Sequence, residues 1–162
     1  MKTIQAYRFA LDLTPGQERD VLAHAGAARV AHNWALAQVK AVMDQRAAES
    51  SYGVSDALLT PPLSWSLAAL RKTWNRAKAE VAPWWSEVSK EAFNTGLDAL
   101  ARALQNWADS RTGKRAGRTV GFPRFKSRHR TTPSVRFTTG SRPARSGSSR
   151  TASTWCCRGW AG

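Results

Sequence analysis

The chain has 162 residues, of which 42% are hydrophobic, and it carries a formal net charge of +14 at pH 7. This length suits one ordinary domain with an apolar core, and no apolar run approaches the ~20 residues that span a bilayer. The two cysteines, Cys156 and Cys157, are adjacent, which excludes a disulfide framework and a CxxC metal site. The N-terminus lacks the apolar core of a signal peptide, so we expect a soluble, cytoplasmic protein.

The positive charge is concentrated in the last third of the chain. All 11 acidic residues lie at or before Asp109, whereas residues 110–162 contain 13 Lys and Arg and therefore carry +13. The other 12 basic and 11 acidic residues give residues 1–109 a charge of +1. Such an imbalance predicts a polyanion as partner. We favour nucleic acid, and association with the nucleoid, over a membrane surface, and we expect no small-molecule substrate.

The first third of the chain predicts a strand and two helices. Large apolar residues alternate with other residues over 6–13, a period of two that is typical of a strand, which we place within residues 1–14. Thr14 and Gln17 then have the types and spacing of a capping box at a helix start. We expect a short helix before Gly26, where the glycine permits a turn or a close helix crossing, and a second helix over residues 27–48. The apolar face of the second helix would consist of Val30, Trp34, Ala37 and Ala41.

The middle of the chain predicts two more helices after a loop at residues 50–64. The third helix would begin near Trp65 and end before Pro83. The fourth helix is the clearest, because large apolar residues with spacings of 4, 3, 4 and 3 form one stripe on a helix. The residues of this stripe are Phe93, Leu97, Leu100, Leu104 and Trp107.

Beyond the fourth helix the chain becomes basic and rich in glycine. Residues 111–118 predict a loop, and the segments 122–126 and 134–139 predict strands. After Gly140 the chain is rich in Ser, Arg and Gly without periodicity, which indicates disorder.

The two helices around Gly26 also fit a helix-turn-helix DNA-binding element. The second helix would then be the recognition helix, with Arg29, Asn33 and Lys40 as the candidates for DNA contact. Ordinary helix packing with a solvated polar face explains the same pattern, since two helices joined by a glycine are common.

A second candidate site lies in residues 111–136, where cations alternate with phenylalanines. In nucleic-acid sites, cations contact phosphates while aromatic rings stack on bases or pack beneath the groove. An arginine-rich solvated loop is the alternative interpretation. The residues that we expect to contact phosphates are Lys114, Arg115, Arg124, Lys126 and Arg128.

Catalytic chemistry has little support in the sequence. His24, His32 and His129 have no Cys or Asp partner at a metal-ligand spacing. The sequence contains no nucleophile-elbow motif, no P-loop and no dinucleotide fingerprint. We therefore predict no catalytic residue, no metal site and no cofactor.

Several motifs, in this order along the chain, resemble those of one family. They are Leu-x-Leu-Thr-Pro-x-Gln at 11–17, Ala-Arg-x-x-x-Asn-Trp-Ala-Leu at 28–36, Ala-Leu-Gln-Asn-Trp at 103–107, Gly-Phe-Pro-Arg-Phe-Lys-Ser at 121–127 and Ser-x-Arg-Phe-Thr at 134–138. Over residues 2–140 the sequence is similar to the N-terminal part of the TnpB/OrfB proteins of insertion sequences. The Gly-Phe-Pro-Arg-Phe-Lys block is the most specific of these motifs.

The resemblance implies an RNA-guided DNA endonuclease related to the type V CRISPR effectors, with DNA and a guide RNA as partners. It implies a β-barrel and a helical recognition lobe, followed by a RuvC-like nuclease with acidic metal-binding residues and a zinc ribbon. It also implies that the fourth helix and the segment after Phe137 read a short duplex motif. The matching positions are Lys90, Asn94, Thr138 and Thr139. Asn94 stands where a Gln is usual, and Thr139 where an Asn is usual.

Residues 141–162 depart from the resemblance, which implies another barrel strand with a Val-x-Leu-Pro-Lys/Arg-Leu-Gly pattern. A two-base shift of the reading frame over residues 154–161 gives codons that can encode Val-Val-Leu-Pro-Arg-Leu-Gly. We therefore expect a frameshift between about residues 140 and 154, an accidental charge in the tail and the loss of the nuclease half.

Together these patterns predict an α+β, mostly α fold, with a helical bundle inserted between strands of an incomplete β-barrel. The expected regions are a first barrel strand (1–14), a helical recognition lobe with a helix-turn-helix-like start (15–110), a basic loop with barrel strands (111–140) and a disordered tail (141–162). We predict nucleic-acid binding by an N-terminal TnpB/OrfB fragment that is not an enzyme on its own. The alternatives are a stand-alone helix-turn-helix protein and a non-functional pseudogene product.

Overall fold

Three helices make up most of the structure. The computed structural model describes residue 10 and residues 12–130, 132–134, 136–137 and 155–156. In chain order the elements are helix α1 (Pro15–Ser51), helix α2 (Leu67–Val81), a 3₁₀ turn (Trp85–Glu87), helix α3 (Lys90–Arg111), strand β1 (Arg136–Phe137) and strand β2 (Trp155–Cys156). None of the described helices is long and apolar enough to cross a membrane.

Helix α1 begins at the predicted capping box and is longer than predicted. The Thr14 hydroxyl accepts a hydrogen bond from the Gln17 N–H, and the Gln17 side chain accepts one from the Thr14 N–H. From there the helix continues for 37 residues. The predicted break at Gly26 is therefore wrong. One glycine weakens a helix by only about 1 kcal/mol, which burial of the flanking Ala25 and Ala27 in the core offsets.

The buried face of α1 is a stripe of small residues that packs chiefly on α3. Its buried members are Ala27, Ala28, Ala31, Ala35, Leu36 and Val39. The predicted apolar face is wrong at Ala37 and Ala41, which are exposed, while Val30 and Trp34 pack at the edge of the core. Small side chains let two helix backbones approach closely, so the alanine stripe determines where α3 crosses α1.

Helices α2 and α3 lie close to their predicted positions. Ser66 caps α2 by accepting a hydrogen bond from the Ala69 N–H, and Ser89 caps α3 by accepting one from the Glu91 N–H. The predicted apolar stripe of α3 is confirmed by its buried residues, which include Phe93, Leu97, Leu100 and Leu104. Its local spacing was therefore sufficient to identify the face that packs on α1.

An aromatic cluster joins the three helices. The Trp74 ring of α2 lies 5.4 Å from the Trp34 ring of α1 and 5.1 Å from the Phe93 ring of α3, measured between centroids. Aromatic contacts of this kind contribute about 0.5–1.5 kcal/mol each beyond burial. The cluster therefore holds α2 against the α1–α3 pair.

The predicted β-barrel is wrong, and the fold is mostly α-helical. The described strands form one antiparallel pair of two residues each, in which Arg136 lies opposite Cys156 and Phe137 opposite Trp155. Residues 122–126, predicted as a strand, have no regular secondary structure. They lie on helices, whose backbone N–H and C=O groups are already paired internally and cannot form a strand ladder.

Strand β1 is held to α3 by an ion pair. The Arg136 guanidinium lies 3.5 Å from the Asp98 carboxylate, which also pairs with Arg102 at 2.8 Å. Residues 1–9 and 11 of the predicted first strand, and residues 141–154 and 157–162 of the predicted disordered tail, lie outside the described residues. The same holds for residues 135, 138 and 139 of the predicted strand 134–139. Trp155 and Cys156, which the prediction placed in that tail, form β2 instead.

Candidate nucleic-acid interface

Residues 121–130, here called the basic segment, lie along α1. At one end the Lys40 ammonium lies 5.8 Å from the centre of the Phe122 ring, and at the other the Asn33 side chain hydrogen-bonds to Lys126. Between these two contacts the residue numbers decrease along α1, from Lys40 to Asn33, while they increase along the segment, from Phe122 to Lys126. The segment and α1 therefore run antiparallel. Seven helical residues span about 10 Å and four fully extended residues about 13 Å, so the segment is largely extended between these contacts.

The Asn33 carboxamide binds both backbone groups of Lys126. Its Nδ2 donates a hydrogen bond to the Lys126 carbonyl at 2.9 Å, and its Oδ1 accepts one from the Lys126 N–H at 2.8 Å. A residue of a neighbouring antiparallel strand would exchange the same two bonds. A helix side chain therefore supplies the pairing that the sequence analysis had assigned to a β-sheet.

Phe122 anchors the other end of the basic segment in the core. Its ring meets the Trp107 ring of α3 edge-on, with centroids 5.0 Å apart. Trp107 in turn lies 6.3 Å from the Trp65 ring and 5.2 Å from the Arg111 guanidinium. The segment is thus attached to α1 through Asn33 and to α3 through Phe122.

His32 of α1 is buried beside the basic segment, with 3% of its surface exposed. Burial, and then the charge of Lys126, lower the pKa of His32 to about 4, against smaller raising effects of the Arg124 and Gly96 backbones. Neither ring nitrogen makes a hydrogen bond of ordinary geometry within the described residues. Burial also lowers the pKa of the Lys126 ammonium. At neutral pH the imidazole is therefore uncharged.

The cations on either side of Lys126 face solvent. Four exposed cations form what we call the basic surface: Lys114, Arg115, Arg124 and Arg128. Within the described part of the chain these four make no ion pair. The ring of Phe125 is 53% exposed next to Arg124. Of the predicted phosphate-contacting residues, Lys126 is the one whose side chain is partly buried.

The loop that carries Lys114 and Arg115 is bound to the end of α3. Gly113 follows the helix with φ of 70°, a left-handed conformation that glycine adopts without strain. The Lys114 and Arg115 N–H groups donate hydrogen bonds to the Asp109 carbonyl at 2.9 and 3.3 Å. This is the arrangement of a Schellman-type helix end, and it fixes both cations beside the C-terminus of α3.

A second basic site is a groove between α2 and the start of α3, with a cavity of about 280 Å³. Lys90 and Asn94, the predicted base-reading residues, lie one turn apart on α3 and both line this groove. Arg71 and Lys78 line it from α2, and the Lys78 ammonium lies 3.8 Å from the centre of the Trp85 ring. The described lining contains no Asp or Glu. Thr138 and Thr139, the other two base-reading candidates, lie outside the described residues.

The three helix-turn-helix candidates share one stripe of α1. Arg29, Asn33 and Lys40 are separated by four and seven residues, which places them on the same side of a helix. All three are partly buried, and the basic segment contacts the stripe at Asn33 and Lys40. A recognition helix would present this stripe to a DNA groove. In the structure the chain's own basic segment covers two of its three positions.

Three residues of the two candidate sites have no functional motif in the sequence. Arg71 and Lys78 lie seven residues apart on one face of α2, a spacing that by itself indicates no site. Only His32 among the buried residues is polar within the described chain, and no local pattern marked it as buried. No three His, Cys, Asp or Glu side chains of the described residues lie together as a metal site.

Comparison with known proteins places the start of this chain in the class of helix-turn-helix domains. The family model with that description, which represents the OrfB proteins of insertion sequences, matches residues 1–47. Over 144 residues the chain is 39% identical to proteins of two strains of Mycobacterium tuberculosis, each described as a "Putative RNA-guided DNA endonuclease". These matches confirm the resemblance to the N-terminal part of TnpB/OrfB proteins that the motifs predicted. The match covers 85% of this chain, which spans 29% of the length of these relatives.

Proposed function

We propose that this chain binds nucleic acid through its basic surface, as the N-terminal binding part of a TnpB/OrfB-type RNA-guided DNA endonuclease. The observation that carries the proposal is the placement of Arg124 and Arg128. Both are exposed and unpaired within the described chain, on either side of a residue whose backbone is fixed by Asn33.

Phosphate is the group that this surface fits. A guanidinium presents a planar fork of N–H donors that matches two phosphate oxygens, and it stays charged at all physiological pH values. Cations on an anchored segment lose less conformational freedom on binding than cations on a free loop. Anchoring by Asn33 and Phe122 therefore favours binding to a backbone of regular phosphate spacing.

The α2–α3 groove is the place for base recognition in this proposal. An asparagine amide can pair with the N6 and N7 edge of adenine, and a lysine can donate to guanine O6 and N7. Lys90 and Asn94 supply these two groups one helical turn apart. The Asn94 Nδ2 donates one hydrogen bond to the Glu91 carboxylate at 3.2 Å, so adenine would pair with its second N–H and its Oδ1. Arg71 and Lys78 on the opposite wall add positive charge that attracts the flanking phosphates.

The partners in this proposal are DNA and a guide RNA, because the relatives are described as RNA-guided DNA endonucleases. The matched part binds and positions nucleic acid and does not cleave it by itself. A binding role of this kind places the protein in the cytoplasm, at the nucleoid.

Salt dependence of binding tests the proposal. Fluorescence anisotropy of labelled duplex DNA and of a labelled RNA hairpin gives the affinity at several KCl concentrations. The double variant Arg124→Ala/Arg128→Ala should make the negative slope of log K against log salt less steep by about 2, since each phosphate contact on duplex DNA contributes about −0.9.

A control with the same change in charge makes that result specific. Arg19 and Arg76 are exposed arginines outside both basic sites, so Arg19→Ala/Arg76→Ala should leave the slope close to that of the wild type. An equal loss of slope in both double variants would mean that net charge, and not the basic surface, binds the polyanion.

A stand-alone helix-turn-helix mode is the second candidate, favoured by the family match over residues 1–47. In that mode α1 enters the major groove and Arg29 contacts DNA. Arg29→Ala would then abolish sequence-specific duplex binding, while Arg124→Ala/Arg128→Ala would preserve it. The reverse outcome supports binding through the basic surface.

A further inference from the structure

We propose that Asn33 is a positioning residue for nucleic-acid binding, which holds the basic segment in place through the backbone of Lys126. The inference rests on the proposed function of the basic surface. It assigns Asn33 a role within the protein, in contrast to direct contact with a base.

The geometry of the Asn33 side chain supports this role. Its carboxamide offers a donor and an acceptor on one edge, and both are used, at 2.9 and 2.8 Å, by the carbonyl and N–H of one residue. Hydrogen bonds that are partly buried, as these are, leave a costly unpaired group when one partner is removed. The amide therefore holds Lys126 more firmly than either single bond would.

The same two atoms would be needed for base recognition. An asparagine that reads adenine uses its Oδ1 and Nδ2 together, as acceptor and donor. Because Lys126 already occupies the edge on which these two atoms lie side by side, Asn33 can pair bidentately with adenine only after the basic segment leaves α1. In the docked structure that edge of the amide is unavailable to DNA.

The position of Lys126 makes this anchor effective. Arg124 and Arg128 lie two residues before and two residues after it, so fixing one backbone position limits the movement of both exposed guanidinium groups. The anchor at Phe122 lies four residues away, beyond Arg124. Without the Asn33 amide, the nearest contacts of the basic segment with α1 on this side of Arg128 would be those of the Arg124 backbone with His32 and of Phe122 with Lys40.

Asn33→Ala tests the inference because it removes the amide without changing the charge. We expect the salt slope of duplex binding to fall by about 2, although every cation is retained, because Arg124 and Arg128 lose their fixed positions. The matched control is Gln38→Ala, which removes an exposed amide from the same helix and should leave the slope unchanged. An unchanged slope in Asn33→Ala would overturn the positioning role.

Limited trypsin digestion reports the docking itself, without nucleic acid. Cleavage after Lys126 requires release of the backbone that Asn33 holds, so Asn33→Ala should accelerate it about tenfold or more. Cleavage after the exposed Arg115 is the internal control and should stay the same. Equal cleavage rates after Lys126 in the wild type and Asn33→Ala would overturn the inference, as would faster cleavage with an unchanged salt slope.

The wild-type protein provides a test that needs no variant to fold. The Lys126 amide hydrogen should exchange with solvent about tenfold or more slowly than that of Phe125, and fast exchange at Lys126 would overturn the inference. A wild-type salt slope near zero would instead remove the proposed function, and the positioning role with it. Slow exchange at Lys126 in that case would show that the docking is real and the binding proposal is at fault.

Discussion

Gly96 of α3 crosses Ala28 of α1 so closely that a methyl group on Gly96 would lie 2.0 Å from the Ala28 carbonyl oxygen and 2.8 Å from its carbonyl carbon. Both atoms belong to the backbone and cannot turn aside as a side chain could. Glycine is therefore required at this crossing for its small size. The crossing packs α3 against the face of α1 that also holds His32. It therefore determines the position of the helix surface on which the basic segment lies.

Gly96→Ala should destabilise the protein by about 3 kcal/mol, at the upper end of the usual effect of overpacking, because the helices must separate. Urea unfolding followed by far-UV circular dichroism measures this change. A loss below about 0.5 kcal/mol, the level of ordinary surface substitutions, would show that α1 and α3 do not cross at Gly96.

Gly26→Ala should have the opposite effect on the stability of the protein. Gly26 lies within α1, and an added methyl would meet only the Arg29 guanidinium at an ordinary distance of 3.8 Å. Replacing a helical glycine by alanine should stabilise the protein by about 0.5–1 kcal/mol. A clear loss of stability in the same urea experiment would mean that the chain turns at Gly26, as two separate helices require.

Acid should weaken the fold through His32. Because its pKa in the folded protein is lowered to about 4, the unfolded chain binds a proton first as pH falls below the ordinary value near 6.5. The stability that His32 contributes is complete above pH 6.5 and declines down to about pH 4, by at most about 3 kcal/mol.

His32→Leu should remove that decline, since leucine cannot be protonated. Urea unfolding at several pH values between 7 and 4 compares the variant with the wild type. The control is His129→Ala, which removes an exposed histidine and should keep the decline. Parallel pH profiles for the wild type and His32→Leu would show that burial of the imidazole does not govern acid sensitivity.

Asn94→Ala should change sequence preference more than overall affinity. Removing an amide that pairs with a base edge lowers discrimination at that position by about 1–3 kcal/mol, while the number of phosphate contacts, and so the salt slope, is preserved. Selection from a randomised duplex pool measures the preference. Asn106→Ala removes an exposed asparagine from the same helix as a control. If Asn94→Ala selects the same sequences as the wild type, Asn94 does not read bases.

The helices could be predicted because their signals are local. The Thr14–Gln17 capping box and the 4-3-4-3 spacing on α3 depend on residues within one or two turns, and both are confirmed. The break at Gly26 could not be judged from its own neighbourhood, because the decisive factor is the packing of α1 on α3. The prediction of a β-barrel was wrong for a similar reason. A strand-like pattern at residues 122–126 does not specify whether a strand or a helix lies beside that segment.

The exposed cations of the candidate site could be predicted from charge alone. An acid-free stretch of sequence is enough to identify Arg124 and Arg128 as candidates, and the structure leaves both exposed. The role of Asn33 could not be found in this way. A hydrogen bond from a side chain to a backbone 93 residues away leaves no periodicity or composition in the sequence.

The salt dependence of nucleic-acid binding by the wild-type protein tests the central claim most directly. Four exposed cations of the basic surface predict a slope of log K against log salt of about −3.6 on duplex DNA, since each contact contributes about −0.9. For the wild type we expect a slope near this value or steeper. For Arg124→Ala/Arg128→Ala we expect a slope that is less steep by about 2. A wild-type slope near zero, or an unchanged slope in that double variant, would contradict the claim that the basic surface binds phosphates.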